Sequence, residues 1–168
     1  MAILKNNLIG IMSDSHDNRH GVKQAVSFFN DISCGLVIHA GDFVAPFTAG
    51  ELEALDCPVK AVFGNCDGEK TGLKQTLQGW GEIYPEPYRF DWLGMRFCLT
   101  HTHHRLPAFI NEKNLDIIIY GHTHKPEVRR ENSRLIVNPG ETGGWLNGKK
   151  TIALLDVKGL SVDIIPLD

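Results

Sequence analysis

Apolar runs along this chain end repeatedly in short polar tips. The segment NLIGIMSDSHDN is an apolar run that stops abruptly in polar residues, as a buried strand does where it opens into a loop. RHGVKQAVSFFNDI follows, with Val22, Ala25, Val26 and Phe29 at helical spacing. CGLVIHAGDF repeats the strand and its tip, APFTAGELEAL predicts a second helix, and PVKAVFGNCDG predicts a third strand with the same ending. Strand, helix, strand, helix, strand implies right-handed crossovers and a parallel sheet. Ligands of such sheets bind beyond the carboxyl ends of the strands, so the three polar tips should share one rim.

The second half reads as hairpins around one more buried strand. YRFDWLGMRFCLTHTHH predicts a hairpin turning near Leu93-Gly94, with its second strand running into His101. RLPAFINEKN predicts a short helix, and LDIIIYGHTH a buried strand with a polar tip. PEVRRENSRLIVNPG turns at Glu131 to Ser133, and KKTIALLDVKGLSVDIIPL turns at Lys158-Gly159, with the Gly-rich PGETGGWLNGKK between these two hairpins. No repeat, low-complexity tract or interdomain linker interrupts the pattern. Parallel βα units followed by hairpins predict two packed sheets flanked by helices in a single domain over residues 1–168.

Composition narrows the function classes. A chain of 168 residues with 42% hydrophobic and 22% charged residues is ordinary for a globular domain. A net charge of −3 carries no sign of broad binding to nucleic acid or to an anionic membrane. The N-terminal MAILKNNLIGIMSD lacks the order of a signal peptide, and no apolar run reaches the length of a membrane helix. Cys34, Cys57, Cys66 and Cys98 form no CxxC pair, which argues against a zinc ribbon and for reduced thiols in a cytoplasmic protein. Histidine is the unusual feature: of eight, three lie at 101, 103 and 104 and two at 122 and 124.

The tips, in order, are Asp14-Ser-His16, Gly41-Asp42, Gly64-Asn65, His101 and Gly121-His122-Thr-His124. Residues two apart in extended backbone face one side, which would pair Asp14 with His16 and His122 with His124. Glycines before Asp42, Asn65 and His122 permit sharp turns and close approach to a charged ligand. Carboxylates, an amide and imidazoles suit manganese, iron, zinc or nickel better than a soft thiolate site would. The set is too large for one catalytic ion and fits two ions sharing a carboxylate, an arrangement suited to in-line displacement at phosphorus. No GxxxxGK[ST] motif is present, which disfavours an NTP-binding kinase or ATPase.

DSHDN, HAGDF, GNCD, LTHTHH, GHTH and NPG together resemble the calcineurin-like metallophosphoesterases, and the short chain is similar to the small YfcE-like phosphodiesterase branch. The resemblance implies a four-layer α/β/β/α sandwich of two mixed sheets flanked by helices. It implies one ion held by Asp14, His16, Asp42 and His124 and a second held by Asp42, Asn65, His101 and His122, with Asp42 shared. A bridging hydroxide would then attack a phosphodiester. Manganese is the first expectation for both divalent ions, with nickel, iron or zinc as substitutes. The resemblance places Asp67 behind the site, orienting a neighbour such as a ligand histidine. Cys66 departs from the family pattern, in which many members carry a general-acid histidine at that position. A thiol is a poor substitute for imidazole in proton transfer near neutrality. His103, two residues past His101, is the candidate for that proton and for contact with the substrate phosphate.

Asn18 is expected to cap the first helix with Asp17 and, by resemblance, to approach the substrate. His39 is expected to pack or to support a ligand, His20 to lie on a helix surface, and His104 and Arg105 to be solvated. Asn138 and Gly140 reach the same rim, and Trp80, Trp92 and Trp145 read as packing residues. The partners implied are a small phosphodiester and, as relatives of this type assemble, a second or further copy as homodimer or homotetramer. The rivals are a phosphomonoesterase, a nuclease for short oligonucleotides, and a protein-interaction scaffold of the retromer-subunit type.

Overall fold

A computed structural model describes residues 7–168; the first six residues of the signal-peptide reading lie outside the described residues. The first half comprises β1 (Leu8–Met12), α1 (Arg19–Asp31), β2 (Leu36–His39), α2 (Pro46–Ala49), β3 (Val59–Val62), α3 (Lys70–Leu77) and β4 (Gly81–Tyr84). The second half comprises β5 (Tyr88–Trp92), β6 (Met95–Leu99), α4 (Leu106–Ile110), β7 (Ile117–Ile119), β8 (Pro126–Glu131), β9 (Arg134–Pro139), β10 (Lys150–Asp156) and β11 (Ser161–Leu167). A six-stranded sheet runs β11-β10-β1-β2-β3-β4, and a five-stranded sheet runs β5-β6-β7-β9-β8. Both are mixed: β1 to β4 are parallel with β10 antiparallel to β1, while β6, β7 and β9 are parallel with β5 and β8 antiparallel at the edges.

Side-chain alternation along the strands builds three apolar seams, and three seams separate four layers. Met12, Val37 and Ala61 face Val22, Ala25 and Phe29 of α1 and Leu73 and Leu77 of α3. The intervening residues Ile9, Ile11, Leu36, Ile38 and Val62 face the second sheet, where Phe97, Leu99, Ile117, Ile119, Leu135 and Val137 meet them. Between those, Cys98, Ile118 and Ile136 point outward onto Leu106, Phe109 and Ile110 of α4. The order is therefore helix, sheet, sheet, helix. β1 and α1 approach so closely that a Cβ at Gly10 would lie 2.5 Å from the Phe29 ring, which is why glycine stands in that strand.

Two elements escaped the sequence pattern. α3 buries only Leu73 and Leu77, and β4 only Ile83, so neither carries enough apolar positions to announce itself. The helix expected over APFTAGELEAL is shorter than its pattern: four α-helical residues give way to a 3₁₀ turn at Gly50–Ala54. The hairpin at Leu93-Gly94 forms with positive φ at both residues, as a type I′ turn requires.

Candidate metal centre

The carboxyl ends of β1, β2, β3, β6 and β7 meet at one rim, and backbone bonds lace their loops together. Asp14 N–H donates to Gly41 O at 3.0 Å, His16 N–H to Asp42 O at 3.1 Å, and Gly121 N–H to His101 O at 3.1 Å. The chain does not stay extended past the strands. Asp14, His16, Asp42, His122 and His124 all have positive φ, between 39° and 69°. Asp14 and His16 therefore come together through left-handed kinks rather than strand alternation, and His122 and His124 turn to different donor groups, which corrects the sequence expectation. Such conformations cost energy in non-glycine residues and concentrate at functional sites. Gly41 has φ +96°, a true conformational requirement, whereas Gly121 is required by space: a Cβ there would stand 2.7 Å from Asp14 Oδ2.

The loops bring the oxygen and imidazole donors together in two adjoining groups. Asp14, His16 and His124 form one, with His124 Nε2 3.3 Å and His16 Nε2 3.7 Å from Asp14 Oδ1. Asp42, His101 and His122 form the other, with His101 Nε2 3.3 Å from Asp42 Oδ2. Asn65 Oδ1 lies 2.9 Å from both His101 Nε2 and His122 Nδ1. Asp42 joins the groups, because its Oδ2 is also 3.4 Å from His16 Nε2. Asp14 Oδ1 and His16 Nε2 are buried atoms without a hydrogen-bond partner. Unsatisfied buried polar atoms are costly, and these two face one another as the donors of a shared cation would. The residues fit a pair of divalent ions.

A polar scaffold holds these side chains. Asp14 Oδ2 accepts the Ser13 hydroxyl at 2.6 Å and His122 N–H at 3.0 Å, which leaves Oδ1 to the site. His101 Nδ1–H donates to Ala40 O at 2.7 Å and presents Nε2. His124 Nδ1–H donates to Glu141 Oε2 at 2.8 Å, and that fully buried carboxylate also accepts the N–H groups of Trp145, Leu146 and Asn147. Glu86 accepts the N–H groups of His101 and Thr102. Neither glutamate was singled out in the sequence. Glu141 had a signal, as a lone acid in a Gly-rich loop beyond a rim strand; Glu86, between two prolines in YPEPY, had none. Asp67 is placed behind the site, but it binds the backbone of Asp42, Gly64 and Val44 rather than a histidine. Asn138 Nδ2–H donates to Gly121 O, which supports the GHTH loop.

The electrostatics attract positive charge. Burial alone would raise the Asp42 carboxyl, yet His101, the Cys66 N–H and His16 outweigh it and hold it at about 2. Burial works against charge on His101, and the Asp42 and Asp14 carboxylates overcome that and lift it to about 9. The facing Asp14 carboxylate raises His16 above its ordinary value despite burial. His39 behaves oppositely: burial drives it down to about 3, so it is neutral, stacked on Phe43 and bonded to Ser15 Oγ at 3.0 Å.

The remaining expected residues are spread along the rim. Cys66 is exposed, groups with His16 and Asp42, and its thiol is pushed up to about 11 by burial and then by Asp42. His103 stacks on His122 with ring centroids 5.6 Å apart, and its Nδ1 has no hydrogen-bond partner. Asn18 Oδ1 caps α1 through Gly21 N–H at 3.1 Å, while its Nδ2–H donates to Gly143 O at 2.7 Å, so the amide is engaged within the protein. His20 is exposed on α1, and Arg105 lies 3.6 Å from Glu86. Trp80 and Trp92 pack against the cores as expected. Trp145 does not: 63% of it is exposed, because hydrogen bonds at the rim fix it instead of an apolar seam.

This geometry has known counterparts. Phosphodiesterase MJ0936 of Methanocaldococcus jannaschii is 39% identical over 154 residues, covering 89% of this chain and 93% of the relative. The solved structure of an archaeal phosphodiesterase superposes with a TM-score of 0.91 at 37% identity, covering 95% of this chain and 99% of the other. YfcE, a phosphoesterase from E. coli, shares the fold with a TM-score of 0.65 at 20% identity, covering 96% and all of the two chains. The calcineurin-like phosphoesterase superfamily domain matches residues 8–160, and the chain belongs to that family.

Proposed function

We propose that this protein is a metal-dependent phosphodiesterase with two divalent ions. One ion is assigned to Asp14, His16, Asp42 and His124, and the other to Asp42, Asn65, His101 and His122. The observation that carries the reading is the convergence of oxygen and imidazole donors at one rim, with Asp14 Oδ1 and His16 Nε2 buried and unpartnered. The likeness over nearly the full chain to an enzyme named as a phosphodiesterase supports the diester as substrate class. When bound, the ions would neutralise charge on the phosphate and activate a water for in-line attack. The protein's own part is to hold the donors through Asp67, Glu86 and Glu141, and to keep His101 and His124 in the tautomers that present Nε2. His103, stacked on His122 with Nδ1 free of partners, is assigned to the phosphate and to proton delivery at the leaving oxygen. Cys66 is assigned a place beside the reacting centre without imidazole-like proton transfer.

Among the described residues no helix is long and apolar enough to cross a membrane, and the four cysteines are free thiols. The thiols support a cytoplasmic location. The family implies divalent ions; manganese as the resident ion, and a homodimer or homotetramer, are proposals that metal analysis and sedimentation measure.

The test is a screen of bis-p-nitrophenyl phosphate and p-nitrophenyl phosphate against manganese, nickel, zinc and magnesium, with Asp42→Ala as control. Diester turnover that depends on added ion and falls by about a thousandfold in Asp42→Ala is expected from loss of the shared carboxylate. Monoester turnover exceeding diester turnover would favour the phosphomonoesterase. Bound ions without turnover of either ester would overturn the reading and favour a scaffold.

A further inference from the structure

We propose that Trp145 is a platform on which a flat aromatic group, carried on one arm of the phosphodiester, stacks. The proposal deepens the phosphodiesterase reading and rests on it for the position of the phosphate. Trp145 and its neighbour Leu146 are among the most exposed large apolar side chains of the described residues, at 63% and 74%. Two adjacent exposed apolar side chains beside the cation rim offer a ligand apolar surface that single scattered ones do not.

Trp145 is not loose. Its backbone N–H donates to Glu141 Oε2 at 3.1 Å, and its indole Nε1–H donates to His16 O at 3.0 Å. Gly143 lies against the ring, since a Cβ there would stand 2.9 Å from Trp145 Cδ1. One anchor is thus the carbonyl of a residue assigned to an ion, and the other is the carboxylate that holds His124. The ring edge is tied to the cation site while much of the indole stays in solvent. A tryptophan needed only for packing would be buried; this one is ordered in advance, so stacking on it sacrifices little side-chain freedom. A ring a few bonds beyond the ester oxygen reaches such a surface, and base or aryl stacking tolerates many ring identities. The selected chemistry is therefore planarity rather than a hydrogen-bonding pattern.

The test separates ring stacking from the hydrogen bond to His16. Metal-loaded protein is titrated calorimetrically with 2-phenylethylphosphonate and ethylphosphonate, which share a head group, resist hydrolysis and, in the first, carry the ring beyond the position of the ester oxygen. The wild type should bind the phenyl compound about tenfold more tightly, in line with stacking on a single aromatic side chain. Trp145→Phe and Trp145→Leu both lose the indole N–H, but only the first keeps a flat ring. The ratio should survive largely in Trp145→Phe and fall to within twofold of unity in Trp145→Leu. A wild-type ratio within twofold, no binding of either compound, or equal ratios in the two variants would overturn the proposal. A change of sedimentation in Trp145→Leu with the ratio intact would overturn it in favour of an interface between copies.

Turnover of phenyl and methyl p-nitrophenyl phosphates, measured alongside, keeps the two readings apart. A binding ratio without turnover leaves the platform standing and removes the phosphodiesterase. Turnover without a binding ratio does the reverse.

Discussion

Asp67 grips Asp42 by its backbone, with Oδ2 accepting the Asp42 N–H at 2.9 Å. The same oxygen takes the Gly64 N–H at 2.7 Å, and Oδ1 takes the Val44 N–H at 2.8 Å. One carboxylate, 2% exposed, thereby fixes the loops that carry Asp42 and Asn65. Asp67→Ala would strand these donors and should lower stability by about 2–4 kcal/mol. Asp67→Asn, which keeps one acceptor oxygen, should cost less. Urea denaturation of both variants checks the order.

Glu141→Gln should weaken cation binding by about 10–100-fold, the usual effect of removing a partner behind a ligand histidine. The glutamine oxygen can still accept from His124 Nδ1–H and Trp145 N–H at the Oε2 position, but its NH₂ would then stand in place of Oε1 and face the N–H groups of Leu146 and Asn147. Manganese titration by calorimetry reads the change. Unaltered affinity would show that His124 is held without Glu141.

Cys66→His should raise the rate on alkyl diesters, whose leaving oxygens need a proton, by about tenfold or more. Aryl diesters, with better leaving groups, should gain little. The check is the dependence of kcat/KM on leaving-group pKa for both proteins at equal metal content. An unchanged slope would assign the proton to another group, with His103 the first to examine.

Stability should fall as the pH rises above about 9. Burial pushes the Cys34 thiol, under α1, and the Cys98 thiol, under α4, each up to about 12. Unfolded thiols release their protons near ~8.5. Between these values the unfolded chain binds fewer protons than the folded one, so alkali favours unfolding, by up to about 1.4 kcal/mol per pH unit for each thiol. Below the unfolded value the effect vanishes. Urea midpoints from pH 8 to 11 should show the decline, and Cys98→Ala should make it shallower whatever it does to absolute stability.

The parts legible in the sequence were those that carry dense local signals. Ile9 and Ile11, Leu36 and Ile38, and Ile117 to Ile119 announce strands buried on both faces, and the polar residue after each run marks the rim. Asp14, Asp42, His101 and His122 were placed at strand ends by the same pattern. α3 and β4 were silent because two leucines and one isoleucine are too few to show a period. The geometry of the loops was also out of reach: Asp14 and His124 meet through left-handed turns that interloop bonds impose, and no local rule foretells those. The Trp145 environment was misread because its anchors, Glu141 and the His16 carbonyl, are contacts of the folded loop.

Asp14, His16, Asp42 and Asn65 follow strands of the six-stranded sheet, whereas His101, His122 and His124 follow strands of the five-stranded one. In the proposed assignment neither half of the chain supplies all the donors of either ion. With those assignments, during synthesis the second site must wait for residue 122 and the first for residue 124 to leave the ribosome, and both for the two sheets to close on each other. Cation uptake should then report late, once the halves have docked, and chelation should act on the seam between them as well as on the chemistry.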